Sequence, residues 1–313
     1  MVTVIATLNA ILPSFVIMFC GWAIYRLGIV SHRFLQESSR LVFFIALPVM
    51  ITLKFYEVDA SHAFPIRQLI VCFVAAIIFC VMSWLVARKL AGNPDAVGAI
   101  FQGATRSNFA VIGLYLENTL FGHDGLLNAT LLMVATIPIN NVSSVLILSR
   151  YGSHSHKKSG SVFKSIFMNP TLLSLLVVPL IWFKPPVPEF VLHSAHDIAS
   201  LTLPLALIGV GASIQFSRIR THMIRGGLTV MMKLVAMPMV VIGVSILAGI
   251  RGLDLASITL FSATPTATAS YILAKRFQSD IELTSWVIAA STLLSLITLP
   301  VIVIVLRVLA LIP

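Results

Sequence analysis

Apolar runs alternate with short polar connections along almost the whole chain, and the runs have the length that crosses a bilayer. About 20 apolar residues span the hydrocarbon region as a helix. Ten such segments are predicted, at roughly residues 4–26, 36–55, 66–90, 95–121, 125–149, 166–183, 190–214, 226–250, 254–277 and 281–309. Two of them are interrupted near their middles. In the ninth, Pro265 stands among Thr264, Thr266, Thr268 and Ser270, where an unbroken spanning helix would carry Leu, Ile and Val. Proline lacks an amide donor and clashes with the preceding turn, so a break is expected there. The fourth segment, opened by the turn and helix-start residues Asn93-Pro94-Asp95, carries Arg106-Ser107-Asn108 near its own midpoint. Irregular backbone survives at membrane depth only where protein or a watery cavity satisfies its N–H and C=O groups. Two polar interruptions in corresponding places of two halves point to a transporter site.

The halves repeat. Leu47-Pro48 recurs as Leu203-Pro204, Asp124 as Asp280 and Thr136 as Thr292, each pair 156 residues apart. The one long polar stretch, Arg150 to Ser161, reads as a flexible linker between them. The expected organisation is a first five-helix repeat over 1–150, a cytoplasmic linker over 151–162 and a second repeat over 163–313. Five is an odd number, so the second half inserts upside-down relative to the first, as in inverted-topology transporters. The expected fold is an all-α polytopic membrane protein of ten transmembrane helices, arranged 5+5, in which broken helices 4 and 9 cross.

Composition agrees with a membrane chain: of 313 residues 58% are hydrophobic and 10% charged, and the mean hydropathy is +1.01. The formal charge of +10 resembles a nucleic-acid footprint until its placement is read. With the N-terminus outside, 14 of the 21 Lys and Arg fall at cytoplasmic ends, which excludes nucleic acid as the implied partner and sets the orientation by the positive-inside rule. Both termini are then expected outside, in a multi-pass protein of the cytoplasmic (inner) membrane. Cys20, Cys72 and Cys80 lie in apolar spans without metal or redox spacing and read as small core residues. The N-terminal run has no basic region before it and no small-residue cleavage site, so it reads as a retained first span.

Several motifs together carry a resemblance. Ile11-Leu12-Pro13, Ala46-Leu47-Pro48, Arg106-Ser107-Asn108 followed by Ile112-Gly113, Phe121-Gly122, Asn169-Pro170, Pro265-Thr266-Ala267 with Tyr271 and Ala274, and the run Ser291 to Pro300 resemble the auxin efflux carrier family of permeases. The resemblance covers essentially the whole chain and is strongest to bacterial malate, malonate or general permeases. It implies fourth and ninth helices that unwind and cross, and transport of small organic anions by elevator-like movement of a core against a scaffold. It also implies that the asparagine at the crossover, matched by Asn108, contacts substrate. A homodimer through the scaffold helices is compatible with it.

Candidate residues each have a second reading. Arg106 matches a carboxylate with its guanidinium fork, or caps carbonyls freed in the ninth helix. Ser107, Asn108, Thr264, Pro265, Thr266 and Thr268 are expected to line the same cavity, although Ser and Thr also serve as small packing residues between helices. Half-helix N-termini at the breaks would add partial positive charge. Lys233 is expected to snorkel to the interface or to support coupling; Glu117 is an interfacial carboxylate or a protonatable coupling group. Asn140 and Asn141 hydrogen-bond between helices or contact ion or substrate. His193, His196 and Asp197 have metal-like spacing but read as a solvated helix start, so neither metal nor cofactor is called for.

A secondary transporter for small carboxylates is therefore the leading function, with membrane lipid as its surroundings. An intramembrane enzyme is the alternative, but no His-Glu-x-x-His, P-loop or nucleotide fingerprint occurs. A channel or sensor is the third class.

Overall fold

The computed structural model describes residues 2–57, 65–152, 186–213 and 222–313. Among these residues the chain is helical, and its one extended pairing is an isolated antiparallel bridge between Ser107 and Thr266. Helix α1 (Val2–Arg26) precedes α2 (His32–Leu41) and α3 (Leu47–Glu57), then α4 (Ile66–Leu90), α5 (Pro94–Thr105) and α6 (Leu114–Tyr151). Beyond the linker come α7 (Glu189–Ser200), α8 (Thr202–Ala212), α9 (Met223–Met231), α10 (Met237–Leu247), α11 (Gly252–Ala263), α12 (Ala269–Phe277) and α13 (Ile281–Val308).

Local chemistry explains the joints. The π turns Val42–Ala46 and Met232–Ala236 immediately precede Leu47-Pro48 and Met237-Pro238. A proline ring clashes with the carbonyl four residues back, and widening the preceding turn relieves the clash. Helix α5 starts as expected, with the Asn93 side chain accepting from Ala96 N and Pro94 in the first turn. Inside α6, Gly122 has φ 65° and ψ −148°, a conformation open in practice only to glycine, and the helix kinks there.

Among the described residues, seven helices are long and apolar enough to cross a membrane: Val4–Arg26, His32–Leu53, Ile66–Leu90, Phe109–Tyr151, Glu189–Ala212, Met223–Leu247 and Ile281–Val308. The difference from the expected ten has identifiable reasons. The ninth segment is split into α11 and α12, of 12 and 9 residues, each too short to span alone. The fourth is split between α5 and the helix that starts at Phe109, and non-helical backbone at Gly122 then separates that helix from the fifth segment. The sixth segment, 166–183, and the linker beyond Gly152 lie outside the described residues.

The helices pack as two groups. One contains α1, α2, α3, α7 and α8, held chiefly by α1 against α8 and α3 against α7. The other contains α4, α5, α6 and α9 to α13, with α4 packed on α5, α6 and α10, and α13 on α5, α9 and α11. Their surfaces are built for lipid. Helix α4 turns Ile70, Phe73, Ile77, Val81 and Leu85 outward and buries Cys72, Ala75, Ala76, Ser83 and Ala87 beside Phe79. Small residues inside and large apolar ones outside is the packing of a membrane helix. Cys72 is buried and Cys80 half-buried as expected, but Cys20 is exposed on the outer face of α1, not a core residue.

Helices α1 and α8 approach backbone to backbone. A Cβ added at Gly211 would collide with the Met18 carbonyl, and one at Gly21 with that of Ile208. Gly211→Ala is therefore expected to destabilise the protein by about 1–3 kcal/mol, the range for overpacking. Gly243→Ala, whose Cβ meets nothing within 4 Å, is expected to be neutral or stabilising. Thermal unfolding of both variants in detergent checks this, and equal melting points would refute the close approach.

Candidate functional site

Two short non-helical segments meet inside the larger group. Helix α5 ends at Thr105, and Arg106-Ser107-Asn108 runs on before the chain re-enters helix at Phe109. Helix α11 ends at Ala263, and Thr264 is extended (φ −63°, ψ 149°), the conformation its position before Pro265 favours. Helicity resumes at Ala269, after Thr268. The segments run antiparallel: Asn108 N donates to Pro265 O at 2.8 Å, and Ala267 N donates to Arg106 O at 3.0 Å. Ser107 and Thr266 thus face each other as a non-hydrogen-bonded pair of a two-strand ladder.

Side chains close the remaining backbone groups. Thr266 Oγ1 donates to Gly103 O at 2.6 Å, in the last turn of α5, and Thr266 N donates to Ser291 Oγ on α13 at 3.1 Å. A Cβ at Gly103 would press on Thr229 and Val287, so the glycine lets α9 and α13 pack close to the end of α5. On the α11 side, Lys233 Nζ donates to Ser262 O at 2.8 Å, to Ser107 Oγ at 2.8 Å and to Met237 Sδ at 3.1 Å. Lys233 stands in the π turn between α9 and α10 and is fully buried.

The expectation that Lys233 snorkels is therefore wrong. The wide turn beside Pro238 aims the side chain inward, and its amine ties the first break to the last turn of α11. Arg106 is also buried, but the carbonyls it caps are not those of the ninth segment. Its Nη1 donates to Asn140 O at 3.1 Å and to Asn141 Oδ1 at 3.2 Å, which joins the first break to α6 and gives both half-buried asparagines a bonding role. Arg106 is consequently not the sole cation of the crossing. Among the described residues, no carboxylate lies within ion-pair distance of Arg106 or Lys233.

Of the expected residues, the structure brings together Arg106, Ser107, Asn108, Thr264, Pro265, Thr266, Lys233, Asn140 and Asn141; Thr268 is half-buried at the rim, before the first turn of α12. Thr264 spends its hydroxyl on Phe261 O, 3.3 Å away in its own helix. Glu117 is not interfacial. It is fully buried on α6, where Gly125 packs against it and Ser257 of α11 interacts with it, and no bond joins it to the crossing. His193 and Asp197 form an exposed pair 3.9 Å apart, while His196 meets Glu57 of α3 at 3.2 Å.

Sequence reasoning assigned no role to Ser291, Gly103, Met237 or Gln102. Gln102 had a readable signal, an amide one turn before Arg106 in an apolar run; it is fully buried, with both side-chain polar atoms unpartnered. Arg106 Nε and Asn108 Nδ2 are likewise buried without partners. The unspent side-chain groups on the first break are thus both donors, beside the N-terminal ends of two helices. Such an arrangement suits an anion. A groove of about 480 Å³ between α4 and the α9–α10 helix is a different feature: its lining is apolar except for Lys89.

A family model described as a membrane transport protein matches residues 6–303. An uncharacterised transporter of Methanothermobacter thermautotrophicus is 24% identical over 297 residues, covering 93% of this chain and 96% of that protein. An uncharacterised transporter of Methanocaldococcus jannaschii is 21% identical over 299 residues, with the same coverage of 93% and 96%.

The paired breaks are directly testable. A non-hydrogen-bonded antiparallel pair brings its Cα atoms to about 4.5 Å, within disulfide range. In a background with Cys20, Cys72 and Cys80 replaced by alanine, Ser107→Cys with Thr266→Cys is expected to form a disulfide under mild oxidation. With a protease site engineered into the 150–161 stretch, the cleaved halves should stay together on a non-reducing gel. Separation into two bands would show that the breaks are not neighbours.

Proposed function

Because the chain belongs to the membrane transport protein family, that of the auxin efflux carriers, we propose that it is a secondary transporter for small organic anions. The substrates are carboxylates of the size of malate, malonate or auxin-like acids, bound at the crossing. One observation carries this reading: the first break keeps two buried, unpartnered donors, Arg106 Nε and Asn108 Nδ2, with two cations and no paired carboxylate around them. A cation substrate would meet only like charge there. A carboxylate would supply the acceptors these donors lack, and the helix ends at Phe109 and Ala269 would add their dipoles.

The full architecture in this reading is the ten-helix 5+5 inverted repeat, with both termini outside and the 151–162 linker in the cytoplasm. The group containing α4 to α6 and α9 to α13 moves as an elevator against the group containing α1 and α8. Every bond of the crossing is made within the first of these groups, so movement of that group as a body leaves the site intact. The family match favours a transporter over an enzyme.

Counterflow of labelled carboxylates in proteoliposomes tests the function: saturable exchange is expected, whereas flux without counterflow would indicate a channel. Asn108→Ala is expected to weaken carboxylate binding about 10-fold or more, the scale of a hydrogen bond to a charged group. Arg106→Ala should abolish it and Arg106→Lys restore it in part, because lysine lacks the planar fork. Binding is read as substrate-dependent thermal stabilisation, and unchanged affinity in both Asn108→Ala and Arg106→Ala would refute the site.

The orientation is tested separately. An impermeant thiol reagent is expected to label Ser155→Cys only after the membrane is opened. Labelling in intact cells would reverse the topology.

A further inference from the structure

The two broken helices end differently. At the end of α5, the Gly103 carbonyl is met by a neutral hydroxyl, Thr266 Oγ1. At the end of α11, the Ser262 carbonyl is met by an ammonium group, Lys233 Nζ. A half-helix C-terminus carries partial negative charge and orphan carbonyls, and in transporters with unwound helices such ends coordinate the coupling cation. Lys233 fills that position from a third element, and Ser107 Oγ, Ser262 O and Met237 Sδ give each ammonium hydrogen an acceptor. All three acceptors are neutral. Burying a charge without a counter-charge is costly, so a fully buried lysine with only neutral partners is an arrangement that an incoming anion completes.

We infer that Lys233 is a tethered substitute for a coupling cation: its amine occupies the cation position at the end of α11, and the crossing binds its anion without sodium. This inference rests on the reading of the crossing as the anion site. The amine touches the first break through Ser107, the residue between the Arg106 and Asn108 donors. It therefore supplies positive charge to the site and fixes the spacing of the two breaks at once.

Three measurements test it. In the first, carboxylate-dependent stabilisation of the wild type is compared in sodium chloride and in choline chloride, and equal affinity is expected; a fall of about tenfold or more without sodium overturns the inference. In the second, Lys233→Ala is expected to lower anion affinity by about 10- to 100-fold, the scale of removing a unit charge several ångströms from the anion. Propylammonium, which matches the removed stem and amine, should restore it. In the third, Lys233→Met fills the same space with an apolar chain, so it should be as weak and should not respond to propylammonium. Wild-type affinity in Lys233→Met means that the lysine is a structural strut only, and overturns the inference.

Failure of the anion-site reading itself looks different, because the wild type then shows no carboxylate-dependent stabilisation in either salt. In that event the melting point of Lys233→Ala still reports on the amine position. A rise with propylammonium, by about 3 °C at tenfold saturation, supports an ammonium seat, and no rise refutes it.

Discussion

The crossing depends on one constraint: unwinding two helices inside an apolar protein releases backbone groups that hydrocarbon cannot satisfy. Each orphaned group costs several kcal/mol in such surroundings, and a handful would match the whole stability of a typical domain. The two breaks meet this jointly. Asn108 N pairs with Pro265 O and Ala267 N with Arg106 O, so each segment supplies what the other lacks. Neither break could exist alone in this form, which explains why both halves of the chain carry one.

What the pairing leaves over determines the chemistry. The carbonyl ends of the two half-helices are closed by protein donors, Thr266 Oγ1 on Gly103 and Lys233 Nζ on Ser262. The N-terminal ends point the opposite way along their helices and bring partial positive charge to the same place. The first break adds two donors without partners, Arg106 Nε and Asn108 Nδ2. Buried Gln102 adds an unpartnered donor and an unpartnered acceptor one turn earlier, so the proposed preference for anions rests on the Arg106 and Asn108 donors and on the charge of Arg106 and Lys233. Arg106 contributes even though one edge of its guanidinium is spent on Asn140 and Asn141, because those bonds hold the fork in one orientation.

Much of this was legible before any coordinates, and the misses have specific causes. Pro265 among hydroxyl residues marked one break and Arg106-Ser107-Asn108 the other, because proline and buried charge are conspicuous in apolar spans. Depth and rotation were less readable. Lys233 lies within snorkelling reach of a span end by rise per residue, but the π turn before Pro238 sets which way it points, and spacing alone does not reveal that turn. Glu117 was given an interfacial position from its place near the end of its span, and position along a span does not reveal that the protein covers the side chain fully. The partners Ser291 and Gly103 come from helices remote in sequence, so nothing local distinguished them from other small residues of apolar spans.

The division of the helices gives the proposed transport cycle a mechanical basis. Bonds that hold the crossing come from α5, α6, α11, α13 and the π turn before α10, all in one group. The other group is fastened within itself, most closely where Gly21 and Gly211 let α1 and α8 touch through backbone. Between the groups, α1 meets α6 and α13, and α8 meets the π turn Phe109–Gly113 that follows the first break. Most of these are contacts of packed apolar surface, which is non-directional and can re-form at a new register; one hydrogen bond crosses as well, from Arg307 Nη1 on α13 to Thr7 Oγ1 on α1 at 2.7 Å. Hydrogen bonds are directional, and buried ones are costly to open. A chain that keeps every bond of the crossing within one group, and joins the groups mainly by apolar packing with the Arg307–Thr7 bond to be exchanged, moves at lower cost than it comes apart at the site. The anion would therefore be carried by displacement of the whole bonded group rather than by opening of the crossing.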